Sequence, residues 1–230
     1  VEKPEEAYTL LGDLYRQKQG IQKAEEDLFV KAYTQALDLD GNGAPETLLF
    51  QVDLGPKETR AFRVIPASAL AVMPAPVVKT YARFVPERLD DFAWENDRIA
   101  FGVYGPALEA TGEVTSGIDV WVKRTRKPVV EKWYYLAQYH SDHGEGLDMY
   151  KVGPSRGCGG TGIWRNNKLY AANNFVTWRL LENGPSRVTF ELGYAPYDAG
   201  GIKVRETRHF SLQTGSNLNR IETHFDWDGG

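Results

Sequence analysis

The sequence has little cysteine, no excess of positive charge and no long apolar run. Its 230 residues include one cysteine, so no internal disulfide can form and cysteine pairing does not indicate a compartment. The formal net charge of -4 argues against a nucleic-acid surface, because such surfaces are usually strongly basic. No apolar run approaches the ~20 residues that a membrane helix needs. The remaining composition, 42% hydrophobic and 12% aromatic, is typical of a globular protein with one large domain or a domain with an appendage.

The first third of the chain changes pattern twice. Apolar residues first recur at the three- and four-residue steps of a helix, at Leu10, Leu11, Leu14, Tyr15 and Ile21. This spacing predicts a helical segment or cap over residues 1–28. Residues 29–66 then alternate in the manner of strands and predict a small β unit. Residues 67–80 are rich in proline and alanine, so we expect an extended connector.

One candidate metal site lies in the small β unit. Asp38, Asp40 and Asn42 have the spacing of the oxygen ligands that open a calcium loop. Position twelve of that loop is Leu49, where an EF-hand needs a bidentate glutamate, so Glu46 would have to serve instead. Two alternatives stay open. One is a calcium site formed by these four polar side chains, and the other is a β-turn, which the Asp, Asn and Gly content favours.

Residues 81–230 are predicted to form the main antiparallel β-sandwich. Ile99, Phe101 and Val103 alternate with other residues in a clear strand pattern. Further stretches rich in β-branched and aromatic residues follow, separated by turn residues. These stretches are IDVWVKR, KWYYLAQY, KLYAANNFVTWRLLENG, SRVTFELGYAPYD, IKVRETRHFSLQ and NLNRIETHFDW. The fold class indicated is mainly β, with a short helical segment at the N-terminus.

The most unusual stretch runs from Trp133 to Trp164. It is too rich in glycine for a helix or a regular strand, and too rich in aromatic residues for disorder. Long loops inside compact domains are usually functional or disordered, so we interpret it as a folded functional loop. Its acid, base and binding candidates are Tyr139, His140, His143, Glu145, Asp148, Tyr150 and Arg156.

Several phrases resemble the bacterial domain-of-unknown-function family 4861. They include YARFVPERLDDFAWENDRIAFGVYGPALE, SGIDVWVKR, YHSDHGEGLDMYKVGPSRGCGGTGIW, LGYAPYDAGG and GSNLNR. The resemblance runs from about Asp38 to the C-terminus, and it is most specific from Tyr139 to Trp164. It implies an exported protein of a bacterial polysaccharide-utilisation cluster with a galactose-mutarotase-like β-supersandwich. We therefore expect a periplasmic or extracellular location, an export signal already removed, and a chain that stops before the family's usual end.

The resemblance also implies β-elimination on uronic-acid-containing oligosaccharides. This reaction needs a neutralised carboxylate, a base for the C5 proton and an acid for the leaving oxygen. Arg156 is the candidate for pairing with the carboxylate, since a guanidinium can make a two-point contact. His140 or His143 is the candidate base because histidine titrates near neutral pH. Tyr139 or Tyr150 would protonate the leaving oxygen.

Further candidates would bind the sugar. Trp133 and Trp164 offer flat apolar faces of the kind on which sugar rings pack, although such residues are more often in a core. Glu145 and Asp148 lie in the same loop, and His224 lies on a terminal strand that can line a cleft. These five residues are the predicted substrate-binding set.

The same residues permit other interpretations. Histidines and carboxylates between His140 and Asp148 allow zinc or manganese, but the spacing matches no zinc signature. Cys158, between two glycines, is expected to be a small packed residue. The pairs Asp90 with Asp91 and Glu95 with Asp97 are of the kind that glycosidases use, but carboxylate pairs in a turn are usually solvated, and we expect these to be solvated.

Three functions therefore stay in play. The first is a carbon–oxygen lyase or dehydratase, which uses a histidine, a tyrosine and Arg156 on an acidic oligosaccharide. The second is a non-catalytic carbohydrate-binding module in which the same loop grips an acidic sugar. The third is a sugar mutarotase or epimerase. No cofactor is predicted apart from the possible calcium, and neither nucleic acid nor a membrane span is expected.

Overall fold

The computed structural model describes residues 11–15, 34–37, 47–52, 54–59, 61–65, 77–136 and 138–228. The chain divides into two compact units, Val1–Val77 and Val78–Gly230. The division lies within residues 67–80, the stretch for which the sequence predicts a connector. The described residues are mainly β and form antiparallel sheets, which confirms the predicted fold class.

The described part of the first unit consists of two antiparallel strand pairs, β1 with β4 and β2 with β3. Their bounds are β1 (Leu11–Tyr15), β2 (Thr34–Leu37), β3 (Thr47–Phe50) and β4 (Ala61–Ile65). The helix predicted over residues 1–28 is wrong at residues 11–15, and the rest of that segment lies outside the described residues. The reason is that all five residues of β1 pair in register with β4, and such pairing overrides a weak local helical preference.

The second unit is an antiparallel β-sandwich. We call its two large sheets the front sheet, with the order β5-β6-β7-β8-β9, and the back sheet, with the order β12-β13-β15-β14 and β16 also paired to β15. The front sheet contains β5 (Tyr81–Val85), β6 (Asp91–Glu95), β7 (Ile99–Val103), β8 (Asp119–Lys123) and β9 (Gly146–Asp148). The back sheet contains β12 (Phe175–Asn183), β13 (Arg187–Tyr194), β14 (Tyr197–Asp198), β15 (Lys203–Gln213) and β16 (Arg220–Trp227).

Short elements connect successive strands of the second unit. They are a 3₁₀ turn (Pro86–Arg88), helix α1 (Pro106–Glu109), helix α2 (Val130–Leu136), and a hairpin of β10 (Ile163–Arg165) and β11 (Lys168–Tyr170). None of the described helices has the length and hydropathy needed to cross a membrane.

The stretch from Trp133 to Trp164 is not one continuous loop, because it contains the end of α2, all of β9 and the start of β10.

Helix α2 replaces a predicted strand. The phrase KWYYLAQY was expected to be a strand, yet its first five residues complete α2. Val130, Trp133 and Tyr134 are buried at i, i+3 and i+4, while Tyr135 is 89% exposed. This is the spacing of one helical face, and the aromatic residues that favour strands here pack as that face.

The core between the sheets is aromatic. Along β13 and β15 every second side chain is buried, as expected for strands with one covered face. The ring of Trp94 on β6 lies 4.9 Å from that of Phe190 and 5.3 Å from that of Phe210. The Trp94 indole also donates a hydrogen bond of 2.8 Å to Asn219, which satisfies its buried N–H.

A second cluster covers the other face of the front sheet. The ring of Trp121 on β8 lies 5.2 Å from that of Tyr134 on α2 and 5.3 Å from that of Tyr139. Because both of its faces are covered, all five residues of β6 are buried. Asp91 and Glu95 are thus buried rather than solvated as the sequence predicted, and Asp97 just beyond them is 7% exposed.

Glu95 ties α2 to the front sheet. Its carboxylate accepts a 2.5 Å hydrogen bond from the Lys123 ammonium and bonds of 2.9 Å from the backbone N–H groups of Val129 and Val130. The side chains of the ion pair are 0% and 1% exposed. A buried charge is tolerated only where it is paired and hydrogen-bonded, so this contact is structural.

Replacing Glu95 with Gln should lower the free energy of unfolding by about 3 to 5 kcal/mol, because it leaves the Lys123 ammonium buried without its counter-charge. Guanidinium unfolding followed by tryptophan fluorescence measures the change. Glu222→Gln, on an outward position of β16, is the matched control and should change stability by less than about 0.5 kcal/mol. A loss below about 1 kcal/mol for Glu95→Gln would contradict the anchoring role.

Candidate active site

A pocket of about 260 Å³ opens on the side of the front sheet that α2 covers. Three segments form its wall: the 3₁₀ turn after β5, helix α2 and the turn that follows α2. The lining residues are Glu87, Arg88, Tyr134, Tyr139 and His140. The pocket therefore includes two of the acid–base candidates from the sequence, Tyr139 and His140.

Strand β9 positions His140. Asp148 at the end of β9 lies opposite Trp121 of β8, and its backbone N–H donates a 2.8 Å hydrogen bond to the Tyr139 carbonyl. His140 Nδ1 then lies 3.2 Å from Asp148 Oδ2 and 3.4 Å from the Asp148 carbonyl oxygen. An imidazole that donates from Nδ1 keeps a lone pair on Nε2. The His140 side chain is 64% exposed, so the imidazole borders the solvent.

The Asp148 carboxylate is buried beside a second carboxylate. Asp148 is 4% exposed and so is Asp119. Burial, together with the neighbouring charge of Asp119, raises the pKa of Asp148 to about 6, and His140 opposes this rise. Burial also raises the pKa of Asp119, which accepts a 2.8 Å hydrogen bond from the Tyr104 hydroxyl. His140 is thus backed by a carboxylate poised near neutral pH, which is a common arrangement behind a general base.

The hydroxyl of Tyr139 is fixed by an arginine. Arg88 Nε donates a 3.1 Å hydrogen bond to the Tyr139 hydroxyl oxygen. Burial raises the pKa of Tyr139, although Arg88 counteracts it. The phenol therefore stays protonated at neutral pH. Because its oxygen accepts from Arg88, its own O–H is directed elsewhere and can be given to another oxygen.

A third carboxylate with a raised pKa lies behind the lining residue Tyr134. The Tyr134 hydroxyl donates a 3.2 Å hydrogen bond to Asp91 Oδ2. Burial raises the pKa of Asp91 to about 7, and the positive charge of Arg88 is the main opposing effect. Asp91 is only 3% exposed, so it acts on the pocket through Tyr134 and Arg88 rather than by touching a ligand.

The charges around the pocket are of both signs, and Arg83 forms ion pairs with both Glu87 and Glu131. Arg83 pairs with Glu87, and this hydrogen bond lowers the pKa of the Glu87 carboxyl. Arg88 forms no ion pair with a carboxylate in the part of the chain that the structure describes. Its Nη atoms also have no hydrogen-bond partner there, so the pocket offers a free guanidinium edge to an acidic ligand.

Other candidates from the sequence lie away from this pocket. Trp133 is 5% exposed and packs in the core against Trp121, so it presents no face to a sugar. His143 and Tyr150 are exposed on the surrounding turns. Glu145 forms a 2.7 Å ion pair with Lys132. They are not gathered around His140.

The structure also places four more residues that the sequence analysis named. Trp164 on β10 is 68% exposed. His224 is exposed on β16 and lies opposite Thr207 of β15, on the outward face of the back sheet. Arg156 lies in a separate cluster with Ser116 and Arg208 and does not line the His140 pocket. Cys158 is exposed, in contrast to the packed position expected from the sequence.

Metal ligation is not favoured by the geometry of the histidine turn. Among the described residues, no group of three or more His, Cys, Asp or Glu side chains is arranged to hold a metal ion. The described residues include the candidate ligands of the histidine turn, which are His140, Asp142, His143, Glu145 and Asp148. The calcium prediction at Asp38, Asp40, Asn42 and Glu46 lies outside the described residues.

Sequence reasoning missed the residues that other strands contribute. Arg88 belongs to the 3₁₀ turn after β5, Asp91 to β6 and Asp119 to β8, and all three lie far before His140 in the chain. One signal was present. Asp119 occupies a position of β8 that shares its face with Trp121, and an acidic residue on the buried face of a strand is unusual unless it is functional or paired.

The described part of the second unit is an antiparallel β-sandwich with a polar pocket beside α2. A family model described as a domain of unknown function, DUF4861, matches residues 15–229. The chain belongs to this family. The match confirms the resemblance seen in the sequence and leaves the activity open.

A relative from Formosa agariphila, named uncharacterized protein P7, is similar to this chain. The two are 37% identical over 215 residues, which is 87% of this chain and 54% of the relative. The chain thus spans about half the length of the curated relative it matches. No solved structure matches the chain.

The raised pKa of Asp91 should make the free energy of unfolding fall as the pH rises. Its pKa is raised from 3.8 to about 7, so between these values the folded state binds more protons than the unfolded chain. Stability is then lost with rising pH at up to about 1.4 kcal/mol per pH unit. Asp91→Asn should flatten this part of the pH dependence in guanidinium unfolding, whereas Asp226→Asn on the exposed edge should not. Equal slopes for Asp91→Asn and the unchanged protein would contradict the assignment.

Proposed function

We propose that this chain is a carbohydrate-active enzyme of polysaccharide degradation that catalyses β-elimination on uronic-acid-containing oligosaccharides. The observation that carries the proposal is the exposed imidazole of His140, held 3.2 Å from the buried Asp148 carboxylate beside the Arg88-bonded Tyr139. A base, an acid and a free guanidinium edge meet in one open pocket. These are the three groups that the reaction needs.

His140 is the base. Its Nε2 removes the proton on C5 of the uronic acid, and the electron pair of that C–H bond becomes the second bond between C4 and C5. Asp148 stabilises the imidazolium that forms, because its carboxylate accepts the hydrogen bond from Nδ1. The bond between C4 and its oxygen breaks in the same process.

Tyr139 is the acid. It gives its hydroxyl proton to the departing oxygen, which leaves as water in a dehydratase or as a sugar hydroxyl in a lyase. The raised pKa of Tyr139 keeps the proton available at neutral pH. Proton transfer through water from the His140 imidazolium to the Tyr139 phenolate then restores the starting state of both residues.

Arg88 takes the place that the sequence assigned to Arg156. Its Nη atoms bind the sugar carboxylate and withdraw charge, which makes the C5 proton more acidic. A carboxylate at this position lies next to both Tyr139 and His140, since all three residues line the same pocket. This arrangement favours an acidic saccharide over a neutral one.

His140→Ala should reduce kcat by at least about 100-fold, because general-base catalysis is lost. The assay follows the ultraviolet absorbance of the new conjugated C=C bond with uronic-acid oligosaccharides from algal and plant polysaccharides, with and without a chelator. His143→Ala is the matched control in the same turn and should retain the rate. Binding of the oligosaccharides by His140→Ala, measured by calorimetry, should stay within about threefold because Arg88 is intact.

Two results would contradict the proposal. One is equal loss of rate in His143→Ala and His140→Ala. The other is oligosaccharide binding with no absorbance change for the unaltered chain across the panel. The second result would support a non-catalytic carbohydrate-binding module, for which the exposed indole of Trp164 is the specific favouring feature.

Tyr139→Phe should lower kcat by about 10- to 1,000-fold with little change in KM, because it removes only the proton donor and keeps the ring on Trp121. Tyr150→Phe is its control, since that side chain is 54% exposed and lies outside the pocket. Initial rates over a range of oligosaccharide concentrations separate kcat from KM. A Tyr139→Phe enzyme with an unchanged kcat would remove Tyr139 from the proposed mechanism.

A further inference from the structure

A buried arginine lies in the sandwich away from the His140 pocket. Arg208 on β15 is fully buried, and its guanidinium lies 4.4 Å above the ring of Tyr194 on β13. Its Nε donates a 2.6 Å hydrogen bond to Glu206, and Nη1 donates one of 2.6 Å to the carbonyl of Ser116. The third nitrogen, Nη2, is buried without a hydrogen-bond partner among the described residues.

The hydroxyl of Tyr194 is a second buried polar group without a hydrogen-bond partner in the described part of the chain. Buried polar groups are nearly always satisfied, and each exception needs an explanation. Here the two exceptions, Arg208 Nη2 and the Tyr194 hydroxyl, belong to one stacked pair, and both can donate a hydrogen bond.

The surrounding charges do not balance. Glu206 is the carboxylate that pairs with Arg208, and it also accepts hydrogen bonds of 2.6 Å from Thr161 and 3.2 Å from Tyr197. Arg156 lies close enough to Arg208 for the two positive charges to oppose each other. Within the described ranges Arg156 has no carboxylate partner, so the two guanidiniums share one negative charge.

Arg156 is held in this place by close backbone contacts. Its Nη1 donates a 2.7 Å hydrogen bond to the Ser116 hydroxyl, so Ser116 joins both arginines. A Cβ on Gly157 would lie 2.1 Å from the Ile118 carbonyl oxygen, and one on Gly160 would lie 2.5 Å from the Arg156 carbonyl oxygen. Only glycine permits this approach, which fixes the segment that carries Arg156 against the start of β8.

We propose that Arg208, Tyr194 and Arg156 form a binding site for one anionic group, either a small inorganic anion such as a halide or the carboxylate of an acidic saccharide. The two unpaired donors, Arg208 Nη2 and the Tyr194 hydroxyl, bind the anion. Arg156 supplies the excess positive charge. Donors without acceptors and a surplus of positive charge select an anion over a neutral ligand. The site shares no lining residue with the His140 pocket, and the inference does not depend on the proposed β-elimination.

Crystals of the full chain soaked in bromide test the site directly. We expect an anomalous scattering peak within hydrogen-bond distance of Arg208 Nη2 and the Tyr194 hydroxyl. A second soak with bromide plus glucuronate distinguishes the two sources: loss of the peak assigns the site to a sugar carboxylate, and its persistence assigns the site to an inorganic anion. The absence of a bromide peak in the first soak, with water at the two donors, would overturn the proposal.

Solution measurements with a conservative variant complete the test. At constant ionic strength, replacing gluconate with bromide should raise the thermal midpoint of the unaltered chain, because an anion that binds the folded state stabilises it. Tyr194→Phe keeps the stacked ring and removes the donor, so bromide affinity should fall by about tenfold. Tyr170→Phe is the control, since its ring also faces a cation, Lys168 at 5.0 Å. Equal bromide shifts in all three proteins would overturn the site.

Discussion

The burial of carboxylates on one face of the front sheet is the constraint on which the rest of the second unit depends. Asp91, Glu95, Asp119 and Asp148 share the face that α2 covers, and each is less than 5% exposed. Their environments differ. Glu95 has an ammonium and two backbone N–H groups, whereas the other three face hydroxyls, an exposed imidazole or one another. Full pairing makes Glu95 a structural residue, whereas burial raises the pKa of the other three carboxyl groups.

This difference explains where the pocket lies. Charges that are fully paired do not need to be near water, so α2 begins directly over Glu95 and closes that end of the face. Asp148 is 4% exposed and contacts His140, whose side chain is 64% exposed. The open end of the face is therefore the end with the carboxylates of raised pKa, and the exposed imidazole is a consequence of the same electrostatics.

The sequence predicted the fold class better than the elements around the pocket. Strand β7 follows from the alternation of Ile99, Phe101 and Val103, and period-two patterns of this kind depend on local residues alone. Helix α2 was mistaken for a strand because aromatic residues favour strands on average. Its helical face consists of only three buried residues, Val130, Trp133 and Tyr134. These residues pack against Trp121, and the sequence alone does not show that Trp121 lies beside them.

The candidate site shows the same limit. His140 and Asp148 are eight residues apart, so one turn and one short strand bring them together, and the sequence named both. Arg88 and Asp119 needed the register of β5 to β9 before they could be assigned.

Arg156 was predicted as the carboxylate clamp because it lies in the histidine stretch. However, its segment packs on Ser116 and Ile118 and carries it to the Arg208 side of the front sheet. Two of the glycines that suggested a shaped active-site loop, Gly157 and Gly160, serve this close packing. The segment from Ser116 to Asp119 consequently joins the two sites, with the arginine cluster bonded at its first residue and Tyr104 bonded at its last. The histidine pocket and the arginine cluster are therefore positioned by one four-residue stretch of backbone, although they share no side chain.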